Sequence, residues 1–138
     1  MFSNTVLSLL GFITWALLLL IWMEVVRSWL VISGRQAAND FTPDNTGLSP
    51  FMQRLARAHA NCVEGLPIFG GLLMVAILTG QQSITDGTGL WFLAARLLQS
   101  VTHLVSVSPL AVKVRFTFFA IQLGLAVYWS YGLLMAAF

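Results

Sequence analysis

The sequence predicts an all-α integral membrane protein, a four-helix bundle in which residues 1–138 form a single domain. Composition is the first observation, because 58% of the residues are hydrophobic and only 9% are charged, whereas about a quarter are charged in soluble domains. The second is that the apolar residues fall into four stretches that approach the roughly 20 residues a spanning helix needs. The net charge of +2 is spread thinly, which gives no basic patch for nucleic acid.

The four predicted spans cover residues 6–32, 58–79, 90–107 and 111–137. The second helix is expected to begin before its span, near Pro50, because Ser49 followed by proline is a typical helix start. Ser108 and Pro109 repeat that signal before the fourth helix. The intervening segments are rich in Gly, Pro, Asp and Asn, which favour loops.

Basic residues occur in or beside the first and third connections, and none lies at the termini or in the second connection. The positive-inside rule therefore predicts that these two connections face the cytoplasm and that both termini lie on the opposite side. The residues that set this asymmetry are Arg35, Arg54, Arg57, Lys113 and Arg115.

A polar stripe runs along the second helix. Arg54, Arg57, Asn61 and Glu64 recur at spacings of three and four, which places them on one helical face, while His59 points elsewhere. A carboxylate in a span costs roughly 2.5–3.5 kcal/mol on insertion scales, so Glu64 should face protein or a wet cavity. Two interpretations fit the stripe equally well: an ion-pair network between helices, or a ligand site.

The third helix carries a similar stripe of Arg96, Gln99 and His103. Arg96 lies in the middle of the predicted span and needs an anionic partner. The chain's only glutamates are Glu24 and Glu64, both within predicted spans, and we predict that one of them forms a structural ion pair with Arg96.

The second, third and fourth helices thus present cations and amides toward one interior region. Arg57 and Arg115 offer planar donor forks that suit carboxylates, and Asn61 and Gln99 supply amide hydrogen bonds. We therefore expect a pocket for a small carboxylated anion, and aliphatic surroundings that admit a lipophilic second substrate from the bilayer. No metal site is expected, because the two histidines lie on different helices without companion ligands.

The second helix also carries a family resemblance. Arg54 and the run RAHANCVEGLPIF, Arg57 to Phe69, resemble the second-helix signature of the membrane-associated proteins in eicosanoid and glutathione metabolism, the MAPEG family. The resemblance implies a homotrimer embedded in membrane lipids, with glutathione as co-substrate bound between protomers near the cytosolic face. Its activity would be that of a microsomal glutathione transferase or peroxidase.

Individual roles follow from the resemblance alone. Arg115 would stabilise the glutathione sulfur as a thiolate, which is the reactive form of a thiol. Arg35 would close the site from the adjacent protomer, and Arg96 would be the buried partner of Glu64. Arg57, Asn61 and Glu64 would hold the backbone of glutathione. Apart from the resemblance, we also expect the other polar residues of the two stripes to bind glutathione, namely Arg54, Gln99 and His103.

Several positions depart from the family pattern. Ala60 replaces an arginine of some members, Phe119 and His103 replace tyrosines, and Gly65 replaces an aromatic residue, which is expected to widen the site. Two alternatives stay open. Glu24 could serve a small proton-coupled transporter, or the chain could be a catalytically silent membrane partner that keeps the pocket.

Overall fold

The computed structural model describes residues 1–138, and all of its regular structure is helical. Its elements are α1 (Asn4–Ile32), α2 (Pro50–Gly65), a π-helical turn (Leu66–Gly70), α3 (Gly71–Leu78), α4 (Ser83–Asp86), α5 (Gly89–Val105) and α6 (Pro109–Ala137). The segments α2, π turn and α3 follow one another without a break over Pro50–Leu78. The four predicted helices are thereby confirmed.

Serine caps fix where α1, α2 and α6 begin. Each serine oxygen accepts a hydrogen bond from the backbone N–H three residues later, which satisfies one of the free donors of the first turn. These bonds join Ser3 to Val6, Ser49 to Met52 and Ser108 to Ala111. Both serine–proline starts predicted from the sequence are confirmed.

Three helices are long and apolar enough to cross a membrane: Asn4–Ile32, Pro50–Leu78 and Pro109–Ala137. The fourth, α5, has 17 residues and packs against α1, α2 and α6. Its polar stripe is buried inside the bundle, where Arg96, Gln99 and His103 are at most 7% exposed. The predicted inward orientation of this stripe is confirmed.

A π turn interrupts the second predicted helix at Pro67. Proline has no N–H to donate, and its ring would clash with the carbonyl four residues earlier in a regular α-helix. The wider turn at Leu66–Gly70 accommodates the ring without ending the helix. It also turns Phe69 into the core, where this ring is 2% exposed.

Aromatic rings fill the centre of the bundle. The Phe92 ring packs edge-on against Phe12 and against Trp129, each at 5.5 Å between centroids, and lies 5.2 Å from Phe69. The four rings come from α1, the π turn, α5 and α6. This cluster therefore joins all four long helical segments.

The second connection is tied to the start of α1. The Asp86 carboxylate accepts from the backbone N–H of Thr5 at 2.8 Å and from its hydroxyl at 2.6 Å. These bonds stabilise the ionised carboxylate and hold the pKa of Asp86 below its ordinary value. They fix the end of the bundle opposite the cavity described next.

Candidate anion-binding site

A cavity of about 540 Å³ opens at one end of the bundle, between one face of α2, the end of α5, the first turns of α6 and the loop that joins α1 to α2. Three arginines and two carboxylates line it, so cations prevail among its charged groups. The lining residues are Pro43, Asp44, Thr46, Pro50, Gln53, Arg54, Ala56, Arg57, Ala60, Glu64, His103, Val107 and Arg115.

Five of the residues predicted to form the site lie around this cavity. Arg54, Arg57 and Glu64 come from one face of α2, His103 from the last turn of α5, and Arg115 from the second turn of α6. Residues up to 61 positions apart in sequence therefore meet at one place.

Two of these arginines are held by hydrogen bonds within the chain. Arg54 donates from Nε to the carbonyl of Leu104 at 2.8 Å, which ties α2 to the end of α5. Arg115 approaches His103, with Nη1 2.7 Å from the ring Nδ1. One nitrogen of Arg54 is thus used in a bond between helices. The contact between Arg115 and His103, in contrast, joins two residues that both line the cavity.

Arg57 and Glu64 behave differently, because both are exposed in the single chain and form no ion pair in it. The one salt bridge joins Arg27 to Glu24 at 3.1 Å, as the sequence predicts for these two residues. A guanidinium and a carboxylate are therefore left with free hydrogen-bonding capacity at the cavity.

Arg96 lies below the cavity, fully buried between the rings of Phe12 and Phe69, with its guanidinium carbon 5.0 and 5.2 Å from their centroids. The predicted ion pair with Glu64 is not formed within the protomer. Arg96 donates instead from Nη1 to Oδ1 of Asn61 at 2.6 Å, because Asn61 lies one turn earlier, on the side of α2 that faces α5. The electron-rich ring faces supply further electrostatic compensation.

Gly65 makes room for this guanidinium. A Cβ atom at position 65 would lie 2.8 Å from Nη2 of Arg96 and 3.1 Å from the ring of Phe69. The expectation that Gly65 widens the cavity is wrong, since the space left by the missing side chain is already occupied by these two residues.

Three predicted site residues do not line the cavity in the single chain: Asn61, which contacts Arg96, and also Gln99 and Arg35. Gln99 is buried and accepts a hydrogen bond from Gln122 at 2.9 Å, which joins α5 to α6. Arg35 is exposed at the end of α1, and its guanidinium carbon lies 4.6 Å from the centroid of the Trp29 ring. Their contacts with a ligand stay predictions.

The loop between α1 and α2 adds a wall that the sequence did not predict. Asp44 accepts from the Thr42 and Thr46 hydroxyls, both at 2.7 Å, and these bonds lower the pKa of its carboxyl to about 2. Next to it, buried Asn45 accepts from Nε of Arg27 at 3.0 Å and donates to the Met52 carbonyl at 2.6 Å. The turn-forming residues from Thr42 to Thr46 are the sequence feature that could have predicted a folded loop here.

One comparison with known proteins found a match, and it identifies a family. The family model described as "MAPEG family" matches residues 12–135. Neither the curated proteins nor the solved structures gave a match to the chain. The match includes most of each long helical segment and every residue that lines the cavity, and the chain belongs to the MAPEG family.

Proposed function

We propose that the protein is a membrane-bound glutathione-dependent transferase or peroxidase that acts on a lipophilic electrophile or a lipid hydroperoxide from the bilayer. The observation that carries this proposal is the meeting of Arg54, Arg57 and Arg115 at one cavity beside Glu64. Glutathione has two carboxylates, one ammonium group and a thiol, and a mainly cationic lining with carboxylates beside it suits such a molecule.

Arg57 and Glu64 would bind the peptide-like part of glutathione, because their charged groups are free within the chain. Asn61 would contribute its amide Nδ2, which forms no hydrogen bond within the chain. Arg115 would stand beside the sulfur. The thiol first loses its proton to solvent. In the transferase reaction the thiolate electron pair forms an S–C bond with the electrophile, and either a leaving group departs or the resulting carbanion takes up a proton. In the peroxidase reaction the thiolate forms an S–O bond as the O–O bond breaks, the alkoxide takes up a proton, and a second glutathione attacks the sulfenic acid to give the disulfide and water. A cation next to the sulfur favours the thiolate and therefore the reaction.

The exposed charges also support an assembly with the site between protomers, and the family resemblance implies that this assembly is a homotrimer. Glu64 is exposed on a helix long and apolar enough to span a membrane, and it lies within the predicted span, whereas exposed Arg57 lies directly before that span. Leaving the Glu64 carboxylate against hydrocarbon costs roughly 2.5–3.5 kcal/mol on insertion scales. A neighbouring protomer that covers this face would remove the cost, and Arg35 of that neighbour would be one candidate to complete the site.

A proton-coupled transporter receives less support. Its proton carrier would be Glu24, but Arg27 holds that carboxylate in an ion pair at 3.1 Å. The cavity lies instead around the α2 stripe, whose arginines have no role in the export of cations.

The test is turnover of glutathione with an aromatic electrophile and, separately, with a lipid hydroperoxide, in the wild type and in Arg115→Ala. Loss of one preorganised charge-stabilising donor costs about 10²–10³ in rate, and we expect a loss of that size while glutathione still binds. Lys113→Ala is the matched control, since Lys113 is an exposed cation two residues away that does not line the cavity. Equal rates in Arg115→Ala and the wild type would contradict the role of Arg115.

A further inference from the structure

The contact between His103 and Arg115 determines more than the packing of α5 on α6. Nη1 of Arg115 lies 2.7 Å from Nδ1 of His103, and the imidazole is 7% exposed. Arg115 makes no other hydrogen bond within the chain. One ring nitrogen is therefore the only polar atom of the protein that fixes the direction of this guanidinium.

The chemistry of the two groups assigns the proton positions. A guanidinium carries only N–H donors and stays protonated in proteins, so it cannot accept a hydrogen bond. Nδ1 of His103 must then offer its lone pair, and the ring proton must be on Nε2. His103 is thus a neutral imidazole with the Nε2–H tautomer.

The surroundings of the ring are mostly cationic. Helix α2 contributes two arginines and a glutamate to the same cavity, the α1–α2 loop contributes an aspartate, and α5 contributes an arginine below the ring. The groups concerned are Arg54, Arg57, Glu64, Asp44 and Arg96. A second ring proton would turn Nδ1 into a donor and place two cations 2.7 Å apart.

We propose that His103 is a positioning residue for Arg115: its neutral imidazole accepts from Nη1 and holds the guanidinium in the orientation that stabilises the glutathione thiolate. This inference rests on the proposed function. It assigns His103 a role separate from direct contact with glutathione. It also predicts that the orientation of Arg115 is lost when the ring is protonated.

The tautomer is measured first, because it does not depend on glutathione. The chain has two histidines, so ¹⁵N-histidine NMR of the His59→Gln variant in detergent reports His103 alone. We expect at neutral pH an unprotonated, hydrogen-bonded Nδ1 and a protonated Nε2, and in Arg115→Gln the loss of the hydrogen-bonded shift of Nδ1. A proton on Nδ1 in the otherwise unchanged protein would overturn the proposal.

Two substitutions then separate an acceptor role from a packing role. The Oδ1 of Asn stands close to the place of Nδ1, so His103→Asn keeps an acceptor, whereas His103→Leu fills the space without one. The readout is the ultraviolet absorbance of bound glutathione thiolate as a function of pH. In His103→Leu we expect the pKa of the bound thiol to rise by about 1. The thiolate fraction near neutral pH would then be about tenfold smaller. His103→Asn should stay close to the wild type.

The outcomes distinguish this inference from the proposed function. If the wild type binds glutathione and forms thiolate but His103→Leu does so equally well, the positioning role is wrong. It is also wrong if the thiolate fraction in His103→Asn falls as far as in His103→Leu. The shape of the ring would then matter, and its hydrogen-bond acceptor would not. If the wild type binds no glutathione, the proposed function fails, and the NMR tautomer alone decides whether His103 orients Arg115.

Discussion

At the scale of single residues, the absence of a side chain at Gly65 leaves the space that the buried guanidinium of Arg96 occupies. Arg96 cannot yield to a new Cβ atom by swinging into solvent, because it is fully buried between the rings of Phe12 and Phe69. The glycine is therefore required by packing and not by backbone conformation, since its backbone is helical.

We predict that Gly65→Ala destabilises the protein by about 1–3 kcal/mol, the usual cost of overpacking a filled core. The added atom would lie 2.8 Å from Nη2 of Arg96 and 3.1 Å from the ring of Phe69. Gly71→Ala is the matched control, because nothing lies within 4 Å of a Cβ at that helical position. Thermal unfolding in detergent measures the stability of both variants. A Gly65→Ala variant as stable as Gly71→Ala would refute the packing argument.

The same neighbourhood marks a limit of prediction from sequence. Spacing alone correctly placed Arg96 inside the bundle and Asn61 on the stripe of α2. It could not decide which side chain of α2 reaches Arg96, because Asn61 and Glu64 are one turn apart and the choice depends on the relative rotation of two packed helices. A charge argument favours Glu64, whereas the structure has Arg96 donating to Asn61 at 2.6 Å.

At the scale of elements, the sequence predicted long helices well and the irregular segments poorly. Serine–proline starts and apolar length were sufficient for the four helices. The π turn depends on how Pro67 is accommodated, and the loop wall of the cavity depends on long-range hydrogen bonds. Neither leaves a periodic pattern in the sequence.

The α1–α2 loop supplies the prediction at this scale. Asn45 is buried at a positive φ of 58° and joins Arg27 of α1 to the start of α2. Asn45→Ala removes the hydrogen bonds to Arg27 and to the Met52 carbonyl, and leaving such groups without partners costs about 1–3 kcal/mol of stability. We therefore expect hydrogen exchange of loop amides 41–48 to accelerate by about tenfold or more. Asn39→Ala is the control, because exposed Asn39 makes no side-chain hydrogen bond. Unchanged exchange in Asn45→Ala would show that the loop wall is held by other contacts.

At the scale of the whole molecule, the exposed α2 stripe predicts a partner. A neighbouring protomer must cover Glu64 in lipid. Because the family resemblance implies a homotrimer, native mass spectrometry in detergent is expected to find three copies of the chain. The control is a series of detergent-to-protein ratios, which separates true assembly from chance sharing of a micelle. A persistent monomer or a dimer would contradict the trimer, and a dimer would favour the transporter alternative.

The orientation in the membrane belongs to the same scale. All residues that line the cavity lie at the end of the bundle that carries Arg54, Arg57, Lys113 and Arg115. By the positive-inside rule we propose that this end faces the cytoplasm, with both termini on the opposite side. Soluble glutathione would then enter from the cytoplasm, and the lipophilic substrate would enter from the bilayer.

The most direct measurement is glutathione binding by calorimetry to the detergent-purified wild type and to the Arg57→Ala and Lys113→Ala variants. We predict saturable binding by the wild type and by Lys113→Ala. Binding should weaken in Arg57→Ala by about tenfold to a hundredfold, the effect of losing a charged hydrogen bond. Failure of the wild type to bind millimolar glutathione, or equal affinity in Arg57→Ala, would contradict a glutathione site in this cavity.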